Sequence, residues 1–293
     1  MGKKRLQKKK TGKEQLPDTG ISFPNNFVIF LILFAVSLLV YGNSLHSPFI
    51  WDDPYLILDN HFVQSFRYLP EIFKHHLYYS TAGSSNFYRP LQTLFLTFDY
   101  ALWKTNPFGY HLTSLLFHLL TAWAIFLIIE LLFGKRTPAF LVSLLFLVHP
   151  VNSTVVDYIA SRADSQAAAF VLLSFLFFFY HILRRKNLTY YLSSLLFFIL
   201  ALFSKEMAII LPFLILAGLY SVKRERLFYL KTVPFFVLAA IYSTLRLTVL
   251  NFSNLYSEGV PNLYLRLLTF SHSFVRLLGL IFFPLPIHIE KGI

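Results

Sequence analysis

Hydrophobic positions in this 293-residue chain come as long unbroken blocks rather than in alternation. Blocks of that length predict helices that cross a membrane. The first covers about 27–43, the second 111–133, and a shorter one runs from Pro138 to His149. Three more cover 166–183, 188–204 and 207–222, a seventh about 228–249, and a last 264–287. A hydrocarbon core roughly 30 Å thick needs about 20 helical residues. The block at 138–149 is short by that measure, so its helix is expected to continue through VNSTVVDYIA. The last block carries Arg266, His272 and Arg276, and reads either as an eighth span or as a helix lying on the outer surface. The predicted fold is all-α and integral to the membrane. It is a polytopic helical bundle of about seven to eight spans, with a large first outer loop, 44–110, that contains short helices.

Between the blocks lie basic runs: MGKKRLQKKKTGK at the start, GKR at 134–136, RRK at 184–186 and KRER at 223–226. Basic residues flanking spans are retained on the cytoplasmic side, and one assignment, with the N-terminus inside, places all four runs there. Residues 1–26 then form a basic cytoplasmic tail and 27–293 the membrane domain. A cleaved signal peptide is the rival for the first block, but no small-x-small cleavage site follows it, which favours an uncleaved anchor. The chain stops at IEKGI without a polar tail, and reads as part of a longer protein.

Composition agrees with this picture. The chain is 56% hydrophobic and 14% charged, where soluble domains run to about 45–50% and about 25%. A net charge of +12 would suggest nucleic acid, but the charges flank spans, so no nucleic-acid partner is expected. Membrane lipid is the expected contact. The absence of cysteine excludes disulfides, thiolate nucleophiles and cysteine-ligated metals. No Walker loop, GxSxG elbow, HExxH or dinucleotide fingerprint occurs.

With that topology the remaining charges gather on the outer side. Asp52, Asp53, Asp59, Asn60, Tyr88, Arg89, Asp99 and His111 belong to the first outer loop; His149, Asp157, Arg162 and Asp164 to the second; Lys205 and Glu206 to the third. Ionisable groups at a membrane boundary are costly and are usually functional or paired. Asp52 and Asp53 follow Trp51 and precede Pro54, which disfavours helix at Asp53. Two adjacent acids repel, so one can titrate high and act as a base, or the pair can hold a divalent cation through oxygen. The bland alternative is a solvated turn or a helix cap. If VDYIASRAD is helical, Asp157, Ser161 and Asp164 share a face, with Arg162 close enough to bind an anion there. A structural salt bridge from Arg162 to an acid is an equal rival. Lys205–Glu206 breaks an apolar stretch with almost no loop, which favours a site over a plain hairpin. His111 and His118 are seven apart, about 10.5 Å along a helix, too far for one metal; packing or a hydrogen bond suits them better.

WDDPYLILDN, YRPLQTLF at 88–95, GYHLTSLLFH at 109–118, HPV at 149–151, SRAD at 161–164 and SKE at 204–206 stand in an order and spacing that resembles the C-type glycosyltransferases. The resemblance is to the membrane part of the transmembrane-and-TPR O-mannosyltransferases and their bacterial relatives, over roughly residues 27–290. The family often has a glutamate four residues after the HP proline, where this chain has Thr154, and no TPR repeats occur. The resemblance implies an enzyme with its site on the periplasmic or luminal face. It would move a hexose, mannose in the first instance, from a polyprenyl-phosphate donor to a hydroxyl on a secreted protein or glycan. An acid in the first outer loop would be the base, and attack opposite the leaving phosphate gives inversion.

On that reading Asp53 is the base, with Asp52 assisting it or both holding magnesium or manganese. Arg162, Lys205 and Arg89 bind the lipid phosphate, and His149, Asp164 and Glu206 position them. Arg266 and Arg276 are remote candidates for further phosphate contacts. A bacterial inner membrane is the expected location, with the endoplasmic reticulum the eukaryotic counterpart. A transporter or lipid flippase and a non-catalytic scaffold are the competing classes. The first requires a charged path at mid-membrane with broken helices in matching halves; the second requires that Asp53 be dispensable.

Overall fold

The computed structural model describes residues 24–81, 85–184, 187–223, 225–252 and 263–284. The basic tail expected at 1–26, Arg185, Lys186, Arg224 and the chain end after 284 lie wholly or mostly outside the described residues. Among the described residues every regular element is a helix. In chain order these are α1 (Asn26–Tyr41), α2 (Asp53–Ile57), α3 (Leu69–Ile72), α4 (Pro90–Trp103), α5 (Pro107–Phe133), α6 (Arg136–Val148) and α7 (Thr154–Asp157). Then follow α8 (Arg162–Leu183), α9 (Leu188–Ser204), α10 (Leu211–Ser221), α11 (Arg226–Leu230), α12 (Val233–Leu247) and α13 (Leu263–Phe282).

Local chemistry sets the ends of the long helices. Asn25, Asn106 and Asn187 each turn a side-chain oxygen back onto a backbone N–H of the first turn of α1, α5 and α9, which satisfies one donor the helix leaves unpaired. Pro107 opens α5, where its missing N–H costs nothing. Gly134 closes α5 with a left-handed φ of 67° that a side chain would resist.

Among the described residues five helices are long and apolar enough to cross a membrane: Asn26–His46, Pro107–Phe133, Ile159–Leu183, Arg226–Leu247 and Leu263–Phe282. A sixth is obtained if Arg136–Val148 and Pro150–Asp157, bent by 53° at the His149–Pro150 step, are one broken span. The blocks 188–204 and 207–222 appear as the shorter apolar helices Leu188–Ser204 and Glu206–Ser221. The 17 residues of α9 reach only about 26 Å at 1.5 Å per residue.

Two local expectations are corrected. The helix from Pro138 does continue toward Asp157, but through the bend rather than straight. VDYIASRAD is not one helix: Tyr158 is extended at φ −119°, ψ 109°, residues 159–161 make a 3-10 turn, and α8 starts at Arg162. Asp157, Ser161 and Asp164 therefore share no helical face, and Asp157 instead accepts a short hydrogen bond from the Ser44 hydroxyl.

The centre of the bundle is α5, α8 and α9. Between α8 and α9 the hydroxyls of Ser174 and Ser194 each donate to the other residue's carbonyl at 2.6 Å, the kind of small-residue contact that lets membrane helices approach. Phe170, Phe178, Phe179, Phe198 and Phe235 fill the core around it. The segment 44–110, expected as loop with short helices, contains α2, α3 and also α4, and its last residues already belong to α5. Of these α4 packs into the bundle against α5 and α9, with Leu91, Gln92, Leu96 and Asp99 buried. Gly109 lets α5 pass the end of α4: a Cβ there would stand 2.1 Å from the Trp103 ring.

Candidate functional site

The two adjacent acids have opposite surroundings. Asp53 is 0% exposed. Its N–H donates to the Ile50 carbonyl at 2.9 Å while the Ile50 N–H donates back to its Oδ2 at 3.2 Å. Its Oδ1 accepts from the Ala160 N–H at 2.9 Å. Burial pushes the Asp53 carboxyl above the usual carboxylate range, opposed by the backbone N–H donors and by the charge on His111. Asp53 thus ties its own loop to the turn before α8. Closing that loop holds Trp51 at φ 49°, a left-handed conformation that is strained for a bulky residue and is found where the surroundings impose it.

Asp52 is exposed. Its Oδ2 accepts from the Tyr158 hydroxyl at 2.8 Å and the Tyr78 hydroxyl at 3.2 Å. Burial first, and then the Asp52 charge, pushes both phenols well above the ordinary tyrosine range, so at neutral pH they are donors. Tyr78 also feels the charge of Arg89, which opposes that rise. The Trp51 ring meets that of Tyr158 edge-on at 5.4 Å.

The expected phosphate-binding residues separate into two groups. Arg89, half-buried just before α4, lies over the Phe87 ring at 4.5 Å and 3.5 Å from Glu206, and its buried Nε has no hydrogen-bond partner. Lys205 pairs with Asp164 at 2.5 Å. The tight turn at 205–206 is therefore clamped by two ion pairs, one to the start of α4 and one to the first turn of α8. Arg162 takes the salt-bridge alternative instead of the anion-binding one. It is 0% exposed, with Nη1 on Asp99 at 2.5 Å, Nε on Ser114 Oγ at 3.0 Å and Nη2 on the Tyr110 carbonyl at 2.6 Å. All its nitrogens are engaged, and no face remains for a lipid phosphate. His149 caps the turn after the bend through Nδ1 and places Nε2 3.0 Å from the Ile281 carbonyl. Arg266 and Arg276 lie on α13, none of whose residues is buried.

His111 and His118 serve as hydrogen-bond donors within the fold. His111 Nδ1 lies 3.0 Å from the Val156 carbonyl and His118 Nε2 2.9 Å from that of Leu147. A carbonyl only accepts, so these nitrogens carry the proton. Together with the Tyr41 hydroxyl, which also donates to Leu147 at 3.0 Å, they fasten α5 and α1 to the bent pair of α6 and α7.

Four residues with a part in this geometry carried no signal in the sequence. Tyr78 and Tyr158 each look like ordinary aromatic positions until they meet at Asp52. Gln92 donates to the Ala160 carbonyl at 2.8 Å, so Asp53 and Gln92 hold the same residue from two sides. Tyr242 of α12 is buried with an unpartnered hydroxyl in the field of Arg89, Glu206 and Arg246. Among the described residues no group of three or more His, Cys, Asp or Glu could hold a metal, and both Asp53 oxygens are already on backbone N–H groups. The two acids do not form a cation cage by themselves.

Residues 89–250, from Arg89 to just beyond the end of α12, match the family described as dolichyl-phosphate-mannose-protein mannosyltransferase. Similar curated proteins include Protein O-mannosyl-transferase Tmtc1 of Drosophila melanogaster, 30% identical over 145 residues, 48% of this chain and 17% of the relative. TMTC3 of Mus musculus is 32% identical over 154 residues, 52% of this chain and 17% of the relative. TMTC2 of Homo sapiens is 32% identical over 154 residues, 50% and 18%. The chain thus matches less than a fifth of the length of these relatives. No solved structure matches it. With the matched region covering more than half of the chain, from Arg89 through the 205–206 turn and past α12, the chain belongs to the dolichyl-phosphate-mannose-protein mannosyltransferase family.

Proposed function

We propose that this chain is a membrane glycosyltransferase that moves a hexose, with mannose the first candidate, from a polyprenyl-phosphate donor to a protein serine or threonine hydroxyl. The observation that carries the reading is the exposed Asp52 carboxylate, held by two phenols, one of which lies in the field of Arg89. Asp52 replaces Asp53 as our proposed base, because a base must reach the proton it removes and Asp53 is sealed against backbone N–H groups. Asp52 takes the proton of the acceptor hydroxyl as that oxygen bonds to the anomeric carbon. The bond from that carbon to the phosphate oxygen breaks, and the electron pair leaves with the phosphate. Arg89 and Lys205 face the charge that develops there, and Glu206 and Asp164 orient them. Attack opposite the leaving group inverts the anomeric centre.

A magnesium or manganese ion is kept as a proposal with Asp52 as its protein ligand. Such ions commonly use one or two carboxylates together with substrate phosphates, and there the ion would neutralise the departing phosphate. The membrane assignment extends in the same way. Counting the two shorter helices and the bent pair as crossings would give eight spans, with the N-terminus cytoplasmic and Asp52 on the periplasmic face of a bacterial inner membrane, or the luminal face of the endoplasmic reticulum. Nothing favours a transporter, since the family is one of transferases.

The test uses the purified chain in lipid with labelled polyprenyl-phosphate mannose and a crude extract of secreted proteins. Asp52→Asn is expected to lower sugar transfer by about 10²–10⁴-fold, and Asp53→Asn by much less. Full activity of Asp52→Asn would remove it as base, and a transfer unaffected by chelator would remove the metal.

A further inference from the structure

At the opposite end of the bundle a second polar centre stands apart from everything described above. The 22 residues of α8 run about 33 Å from Arg162, and the buried His181 lies in the last turn. His181 Nδ1 is 2.9 Å from the Asn187 carbonyl and Nε2 is 2.6 Å from the Lys231 ammonium. The carbonyl only accepts and the ammonium only donates. Nδ1 therefore carries the proton, Nε2 presents its lone pair, and the imidazole is neutral. Among the described residues no carboxylate comes within 4.0 Å of the Lys231 nitrogen. Its own carbonyl accepts from the Tyr191 hydroxyl at 2.8 Å, and its ammonium lies 5.7 Å from the Phe228 ring centre.

This uncompensated, half-buried cation opens into a cavity of about 510 Å³ lined by His181, Leu188, Tyr191, Leu227, Leu230 and Lys231. Leu188, Leu227 and Leu230 are each more than 60% exposed, so among the described residues that line it an apolar rim surrounds Lys231 as the one cation. A half-buried cation wants an anion, and an apolar rim at the end of membrane helices wants an acyl chain. A free small anion would use the first feature and leave the second bare; a zwitterionic lipid would bring an ammonium for which the cavity holds no carboxylate.

We propose that the His181–Lys231 centre binds an anionic phospholipid of the leaflet opposite the transfer site. The phosphodiester sits on Lys231 and the glycerol and first acyl carbons on Leu188, Leu227 and Leu230. His181 holds the ammonium in place. The site is independent of the transfer reaction and stands or falls without it.

The test is binding of dioctanoyl phosphatidylglycerol, dioctanoyl phosphatidylcholine and inorganic phosphate to the purified full chain, read by native mass spectrometry. Wild type is expected to hold the phosphatidylglycerol about tenfold more tightly than the phosphatidylcholine, the effect of one charge-assisted contact. Lys231→Met abolishes that preference and Lys231→Arg keeps it. Leu230→Glu, on the exposed rim and with Lys231 intact, also abolishes it by repulsion. Asp52→Asn leaves it unchanged. Equal binding of the two lipids by wild type, or an undiminished preference in both Lys231→Met and Leu230→Glu, would overturn the proposal. Inorganic phosphate that binds as tightly as phosphatidylglycerol would overturn its lipid part.

Discussion

Asp52 and Asp53 share a sequence environment and differ by one position, yet one is on the surface under two tyrosine hydroxyls and the other is enclosed. A helix start makes the difference: Asp53 turns inward as α2 begins, and its oxygens meet the N–H groups of Ile50 and Ala160. Its raised protonation range has a consequence for stability. A carboxyl whose folded value lies above its unfolded value favours the fold most when protonated, and that contribution fades as pH rises through the folded value. Acidification from neutrality down to the ordinary aspartate value near 4 should therefore stabilise wild type relative to Asp53→Asn, which cannot titrate there. Thermal unfolding of both proteins across that range checks this; parallel curves would contradict it. The acid pair was legible in the sequence as a candidate, but not which member is presented. That depends on Tyr158 and Ala160, more than a hundred positions away.

At the scale of elements, capping and proline placement follow local chemistry, and the helix starts at Asn25, Asn106 and Asn187 are written in the residues themselves. Breaks are harder to read. A bend of 53° at His149–Pro150 leaves the Leu147 carbonyl at a helix end, and Tyr41 and His118 satisfy it from two other helices. Proline marks the place, but whether the chain bends or ends there is settled by those partners. The α4–α5 corner depends on Gly109 in the same way. Gly109→Ala puts a methyl into the Trp103 ring and should cost about 1–3 kcal/mol, the usual range for overpacking. The expected outcome is a lower unfolding temperature that Gly109→Ala combined with Trp103→Leu partly restores.

For the whole molecule, the Arg162–Asp99 pair does more than any other polar contact to join elements, since it ties α8 to α4 and, through Ser114 and Tyr110, to α5. Both charges are nearly inaccessible, so removing one strands the other. Asp99→Asn should destabilise by about 3–5 kcal/mol, while an apolar pair at both positions should recover much of the loss. Unfolding of the single and double variants in lipid or detergent measures it, and an additive double variant would refute the coupling. Hydropathy blocks determine by themselves that the chain is helical, with several helices long and apolar enough to cross a membrane, because each block is a property of consecutive residues. The outward acid, the burial of Arg162, the bend between α6 and α7 and the contact of His181 with Lys231 were decided only by tertiary structure. Each joins groups 50 or more positions apart, or sets one of two chemically similar residues against a partner. Such pairings depend on how helices pack, and a one-dimensional pattern of polarity does not record it.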